Sequence, residues 1–285
     1  MEAMTKVIPL QDALICENAC LAGFRRFTLS YVMRHFRFLA KTSLFLLVTF
    51  VFAPSYFLIL LLLYPWRLSI GPGLIKFYSK ICLAIYRVKI DKVKHFRFFK
   101  KKKKGVLIVS NHSSFLDIFV LSSLFGAVFV SKAEVMSYPV IGQIAWLAGC
   151  IFFDRSSRKE RIKVLKAAAR DCAGRVIAVF PQGTTGRITD RLPFHRGIFK
   201  TLELNPEIAI LPVTLRYRED EEIAWSGGPL KENAARVGGQ ESIRLKVSIH
   251  HPITAGEQER RTASEVCRIA EEAVRRDLEN EYLMI

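Results

Sequence analysis

A chain of 285 residues can build one large domain or two small ones, with a substantial core either way. Its 51% hydrophobic and 24% charged content excludes a globally disordered protein. Forty-three Lys and Arg against 26 Asp and Glu give a formal charge of +17, so the partners to consider are anionic: a lipid surface, an acidic substrate or nucleic acid.

Residues 24–41, FRRFTLSYVMRHFRFLAK, interleave aromatic and aliphatic side chains with Arg and Lys. That pattern suits a helix lying in a membrane interface with its cations among anionic headgroups. RNA-binding segments interleave in the same way, but the next stretch favours lipid, and no nucleic-acid partner is expected. Ser43 to Tyr64 holds no charged residue over 22 positions. As a helix this is about 33 Å, enough to cross a bilayer core. Arg34, Arg37 and Lys41 precede the segment, and Arg67, Lys76 and Lys80 follow it. Positive charge on both sides gives a single span no defined orientation. A helical hairpin broken near Pro54 keeps both basic flanks on one face and is the expected arrangement, with a single crossing as the alternative. Interfacial and membrane-inserted helices are thus expected over 1–66, and a soluble domain over 67–285.

The run Lys100 to Lys104 reads as a hydrated collar before the first strand. From Gly105 onward, short apolar runs at 105–110, 127–132, 150–155, 175–180, 208–217 and 243–253 read as strands covered on both faces. Residues 158–172 carry Ile162, Leu165, Ala168, Ala169 and Cys172 at helical spacing. The stretch from Ala263 aligns Val266, Ile269, Ala270, Ala273, Val274 and Leu278 on one stripe. Residues 226–241, rich in glycine and polar side chains, read as an excursion loop. Strands alternating with helices predict an α/β domain: a mixed, mostly parallel sheet flanked by helices, preceded by the membrane hairpin. Proline at 212, inside a strand, predicts a bulge or a sheet edge there. The six cysteines form no CxxC pair and the six histidines no HExxH, so neither a metal centre nor a disulfide framework is expected.

The first of these strands runs into VSNHSSFLD, residues 109–117. Asn111 and His112 stand at the end of a strand, where α/β sheets expose functional groups. If the chain turns there into a helix, Asp117 lies about one turn along and can accept a hydrogen bond from one imidazole nitrogen. The other nitrogen is then an acceptor, able to take a proton from a hydroxyl. Alone, this spacing is a short pattern.

It is followed in order by VSKAEVMSYPVIG, AGCIFFDR, FPQGTTG, LPFHRGIF and ILPVTL. Together these resemble the PlsC-like glycerolipid acyltransferases, the lysophosphatidic acid acyltransferase family, over roughly residues 75–255. The resemblance implies that His112 is the general base and Asp117 its orienting partner. It implies direct acyl transfer from acyl-CoA or acyl-carrier protein to a lysophospholipid hydroxyl, without a cofactor. The absence of a GxSxG elbow agrees with a mechanism lacking an acyl-enzyme. Arg155 matches an arginine associated with the glycerolipid head, and a guanidinium suits phosphate. Lys132 matches a recurring lysine that could face the thioester or a phosphate. The family usually shows FPEGTR where this chain has Gln182 for the glutamate and Thr185 for the arginine. Gly183 still allows close backbone approach to a ligand, and Thr184 and Thr185 can donate hydroxyl hydrogen bonds. Arg187, two positions on, could supply the missing guanidinium. The acceptor is then lysophosphatidic acid, or another lysolipid such as a lyso-ornithine lipid, or the fold retains only lipid binding. The implied setting is the inner membrane of a cell, its anionic lipids held by the basic segments and the catalytic domain on the cytoplasmic face.

Overall fold

The computed structural model describes residues 10–94, 105–138, 141–154, 156–172, 174–255 and 261–279. The lysine collar at 100–104 and Arg155 lie outside them. In chain order the described elements are helices α1 (Leu10–Leu62) and α2 (Arg67–Ile85), strands β1 (Val88–Lys94) and β2 (Val106–Ser110), helix α3 (Leu116–Phe125), strand β3 (Val128–Lys132), helix α4 (Ile141–Leu147), strand β4 (Ile151–Phe153), helix α5 (Arg158–Asp171) and strand β5 (Val176–Val179). The short helix α6 (Thr201–Leu204), strand β6 (Ala209–Tyr217), helices α7 (Asp220–Ile223) and α8 (Leu230–Gly239), strand β7 (Ile243–Ile249) and helix α9 (Ala263–Glu279) complete the set.

The strands form one sheet in the order β1-β7-β6-β2-β5-β3-β4. Pairing is parallel from β6 to β4, and β7 meets β6 antiparallel while running parallel with β1. The mixed, mostly parallel α/β architecture is therefore as the apolar runs predict. Side chains alternate between two faces, and both are covered. Leu107, Val109, Ile177, Val179 and Ile210 join the core beneath α9. Val106, Ile108, Ala178, Leu211 and Leu215 join the one beneath α3. Double coverage is why β2 and β6 read as continuous apolar runs. Strand β1 escaped the sequence reading because VKIDKVK alternates charged with apolar residues and pairs only with β7, at the sheet edge.

The helices follow local rules. Ser157 caps α5 by accepting the Glu160 N–H at 3.2 Å. That helix buries Val164, Ala168 and Ala169, while Ile162 of the expected stripe is 47% exposed. Helix α9 buries Val266, Ala270, Val274 and Leu278 of its predicted stripe. Residues 230–239, expected as loop, form α8 instead. It packs on α1 so closely that a Cβ at Gly238 would lie 2.8 Å from Phe38 Cδ2. Pro212 lies in a central strand, not an edge, with an unbroken register against β2. On its other side residues 211 and 212 face three residues, 250–252, before the Ile210–Ile253 bridge, so the bulge is present.

The expected break at Pro54 is absent. Helix α1 continues through it to Leu62, and the Ser55 hydroxyl donates to the Val51 carbonyl at 2.9 Å beside the site of the missing N–H. The chain turns only at Tyr64–Trp66. Helix α2 then lies against α1: Thr49 hydrogen-bonds Tyr78, Phe52 stacks on Tyr78, and Tyr56 meets Gly71. Among the described residues one helix is long and apolar enough to cross a membrane, Ser30–Leu62, with 11% of its most apolar window buried.

Candidate active site

The site begins where β2 ends. Asn111 continues the ladder with its side chain, donating to the Leu215 carbonyl at 2.7 Å and accepting the Leu215 N–H at 2.9 Å. This two-way clamp fixes the chain to β6 just before it turns toward α3. His112 then places Nδ1 2.8 Å from Asp117 Oδ2. Asp117 lies in the first turn of α3, where a helix stabilises negative charge. Its Oδ2 also accepts the N–H groups of Ser113 at 2.7 Å and Ser114 at 2.9 Å. A carboxylate offers only lone pairs to these donors, so Nδ1 carries the imidazole proton and Nε2 is left as the acceptor. Asp117 is completely buried, whereas 17% of the His112 side chain stays open. The imidazole rests flat on Phe180, with ring centroids 3.9 Å apart at 8°. The contact between His112 and Asp117 that the sequence spacing suggests is present at 2.8 Å.

Two further anchors hold the histidine backbone. Gln182 Oε1 accepts the His112 N–H at 2.7 Å, while its Nε2 donates to the Leu192 carbonyl at 3.2 Å. The Gly186 N–H donates to the His112 carbonyl at 3.0 Å. A Cβ on Gly186 would meet Leu192 Cδ1 at 2.6 Å, so a larger residue here would have to displace that side chain. Gly183 has φ +76°, as a tight turn after β5 demands, and its N–H returns to the Phe180 carbonyl at 3.0 Å. Of the residues expected to bind substrate, Gln182 and Gly183 therefore brace the loop itself. Thr184 is exposed and Thr185 half-buried on the same loop.

Arg187 is exposed and lines a cavity of about 560 Å³ behind the loop. Asn111, Ser113 and Gln182 share that lining with Ile188, Leu192, Val274 and Leu278, whereas His112, stacked on Phe180, is not part of it. Charges of both signs rim the cavity: Arg191 meets Glu279 at 3.4 Å, and Arg275 pairs with Glu271 at 2.5 Å. Lys132 stands apart, exposed at the end of β3, three residues beyond Phe129, whose ring stacks on Phe180 at 5.8 Å.

Sequence reasoning missed Tyr217. At the end of β6 and 1% exposed, it donates its hydroxyl to Asp117 Oδ1 at 2.6 Å. Burial first, and then the adjacent Asp117 carboxylate, hold this phenol protonated. Asp220, three residues on, accepts the Ile188 N–H at 3.0 Å through Oδ2, while its buried Oδ1 has no partner. Burial raises its carboxyl above the ordinary range, only partly offset by that N–H. Tyr217 lies a hundred positions from Asp117, and only the sheet order, which sets β6 beside β2, brings them together.

Residues 88–216 match the family model described as Acyltransferase. The 1-acyl-sn-glycerol-3-phosphate acyltransferase of Neisseria gonorrhoeae is 32% identical over 117 residues, 41% of this chain and 46% of that protein. The enzyme of that name from Limnanthes douglasii is 32% identical over 193 residues, 65% of each chain. The lyso-ornithine lipid O-acyltransferase of Pseudomonas aeruginosa is 36% identical over 118 residues, 41% of this chain and 45% of its own length. The chain thus spans about half the length of several curated relatives it matches. The crystal structure of the acyltransferase PlsC from Thermotoga maritima superposes with a TM-score of 0.55 at 18% identity, covering 84% of this chain and 97% of that one, a likeness of fold. In its matched domain, its related sequences and its fold, the chain is similar to the PlsC-like glycerolipid acyltransferases.

Proposed function

We propose that this protein is a membrane-bound O-acyltransferase moving a fatty acyl group from a thioester to the free hydroxyl of a lysophospholipid. The observation that carries it is the His112 Nδ1–Asp117 Oδ2 contact of 2.8 Å, with the carboxylate held by two backbone N–H groups. In this mechanism Nε2 removes the acceptor's hydroxyl proton as the oxygen attacks the thioester carbonyl. The tetrahedral intermediate then expels the thiolate, and the imidazolium returns the proton to it. Asp117 stays ionised and stabilises the imidazolium.

The acceptor of the leading reading is lysophosphatidic acid, giving phosphatidic acid. A lyso-ornithine lipid is the second reading. Thr185 stands where an arginine is usual, and the cavity behind the loop carries both arginines and glutamates, which suits a zwitterionic head. The donor is acyl-CoA or acyl-carrier protein. Arg187 would meet the acceptor head, and Lys132 and Arg155 are the further candidates to meet a phosphate.

The exposed apolar face of α1, including Leu46, Leu47, Phe50, Leu58, Leu61 and Leu62, supports insertion into a bilayer. We place α1 in the membrane, with α2, which returns alongside it and packs on α3, opening the soluble domain on the cytoplasmic face of the inner membrane, and with anionic lipids near Arg37, Lys76 and Lys80. The division at residue 66 then falls on the turn between the two helices. A panel of lysolipids, each assayed for thiol release from acyl-CoA and acyl-carrier protein, tests the reading. Release that requires a lysolipid and vanishes in His112→Ala is expected, and release that survives the substitution would refute the mechanism.

A further inference from the structure

We propose that Tyr217 is a positioning residue for the His112–Asp117 pair, an inference that rests on His112 acting as the base. Three donors converge on Asp117 Oδ2: His112 Nδ1, Ser113 N and Ser114 N. They anchor one oxygen, yet the carboxylate can still rock about that anchor. The Tyr217 hydroxyl, 2.6 Å from Oδ1, fixes the second oxygen and with it the carboxylate plane. The plane decides whether an Oδ2 lone pair points along the Nδ1–H bond, since such bonds weaken as alignment is lost.

The phenol is well placed to act as a ruler. It rides on β6, whose Leu215 is clamped at both backbone atoms by the Asn111 side chain. Strand and loop are therefore registered two residues before Tyr217 and one residue before His112. Both ends of the Tyr217–Asp117 bond are shut off from water, with exposures of 1% and 0%. No solvent molecule can take the place of the hydroxyl without a cavity being opened, and a buried carboxylate oxygen left without a donor is strongly disfavoured. The charged groups around the phenol are Asp117 and Asp220, and Asp220 in turn feels Arg187 and Asp190.

A tyrosine that merely fills the core would give a different signature from one that sets the pair. Tyr217→Phe keeps the ring and removes the hydrogen bond. Without that donor the carboxylate plane is released, the Oδ2 lone pair leaves the Nδ1–H axis, and the imidazolium is stabilised less. The acid limb of the kcat profile is then expected to move to lower pH. Its kcat should fall roughly tenfold or more, the loss of one charged hydrogen bond, with KM for donor and acceptor little changed. A Tm that drops while kcat and the acid limb stay at wild-type values would overturn the inference and leave Tyr217 a core residue. Loss of kcat with an unmoved limb would overturn it as well. His112→Ala, assayed in parallel, separates the two readings. Activity surviving there removes the base mechanism and this inference with it, whereas an inactive His112→Ala beside an unaffected Tyr217→Phe removes this inference alone.

Discussion

Replacing Asp117 with asparagine changes one atom and one charge, and the structure says which way the amide will sit. Its oxygen must face the three donors at Oδ2, because an NH₂ there would oppose His112 Nδ1, Ser113 N and Ser114 N. The NH₂ then faces Tyr217, whose hydroxyl can rotate to accept. The hydrogen-bond pattern survives and the fold should too, the more so because a fully buried charge has been removed. What is lost is the attraction between carboxylate and imidazolium as the proton transfers. At an effective dielectric of about 20 and a charge separation of about 4 Å, that attraction is roughly 4 kcal/mol. The neutral amide retains about 1 kcal/mol as a hydrogen bond. The remaining ~3 kcal/mol, at ~1.36 kcal/mol per decade, predicts kcat lowered at least ~100-fold with little change in KM. Thiol release at saturating donor and acceptor measures it, with circular dichroism confirming the fold. A folded Asp117→Asn enzyme within tenfold of the wild type would refute the argument that the carboxylate's charge stabilises the transferring proton.

Gln182→Glu restores the residue usual at this position but leaves the Leu192 carbonyl facing a carboxylate oxygen in place of a donor, 3.2 Å away. It is expected to lower stability by ~1–3 kcal/mol, read as a fall in Tm, and an unchanged Tm would show that the Gln182–Leu192 bond contributes nothing. Gly238→Ala puts a methyl 3.3 Å from the Phe38 Cα, which cannot swing aside as the ring can. A stability loss of about 1–3 kcal/mol is expected in detergent, and a neutral result would contradict the close approach of α8 to α1. His250, 2.7 Å from the Thr214 hydroxyl through Nε2, has its pKa lowered chiefly by burial. The unfolded chain therefore binds the proton more readily than the folded one. Stability is fully present above the unfolded value of about 6.5 and is lost as pH falls below it, and His250→Gln should flatten the slope of Tm against pH in that window.

How much of this was legible depends on the range of the physics involved. Strands β2, β5 and β6 stood out most because both of their faces are largely buried, a local consequence of composition. The His112–Asp117 pair was legible because five positions across a strand-to-helix turn fix its geometry almost without the rest of the fold. Other features answer to distant partners. Gly238 and Gly239 read as loop punctuation, but they are small because Phe38 and Arg34 press against them from α1. Pro54 read as a break, yet a single missing N–H does not end a helix whose neighbours, including α2, hold it in line. Strand β1 carries lysine and aspartate because only one sheet neighbour constrains it.

Gln182 and Thr185 show where a resemblance needs the coordinates beside it. Both depart from the usual FPEGTR pattern and so both look like changes in what the loop binds. The structure separates them. Gln182 turns inward and needs both an acceptor and a donor, one for the His112 N–H and one for the Leu192 carbonyl, which an amide supplies and an ionised carboxylate cannot. Its substitution is therefore accounted for by the architecture of the loop, whatever lipid is bound. No such inward contact accounts for the half-buried Thr185, so the lost guanidinium there is the change we propose to bear on the acceptor's headgroup. Arg187, on the wall of the neighbouring cavity, is the residue against which that change should be tested.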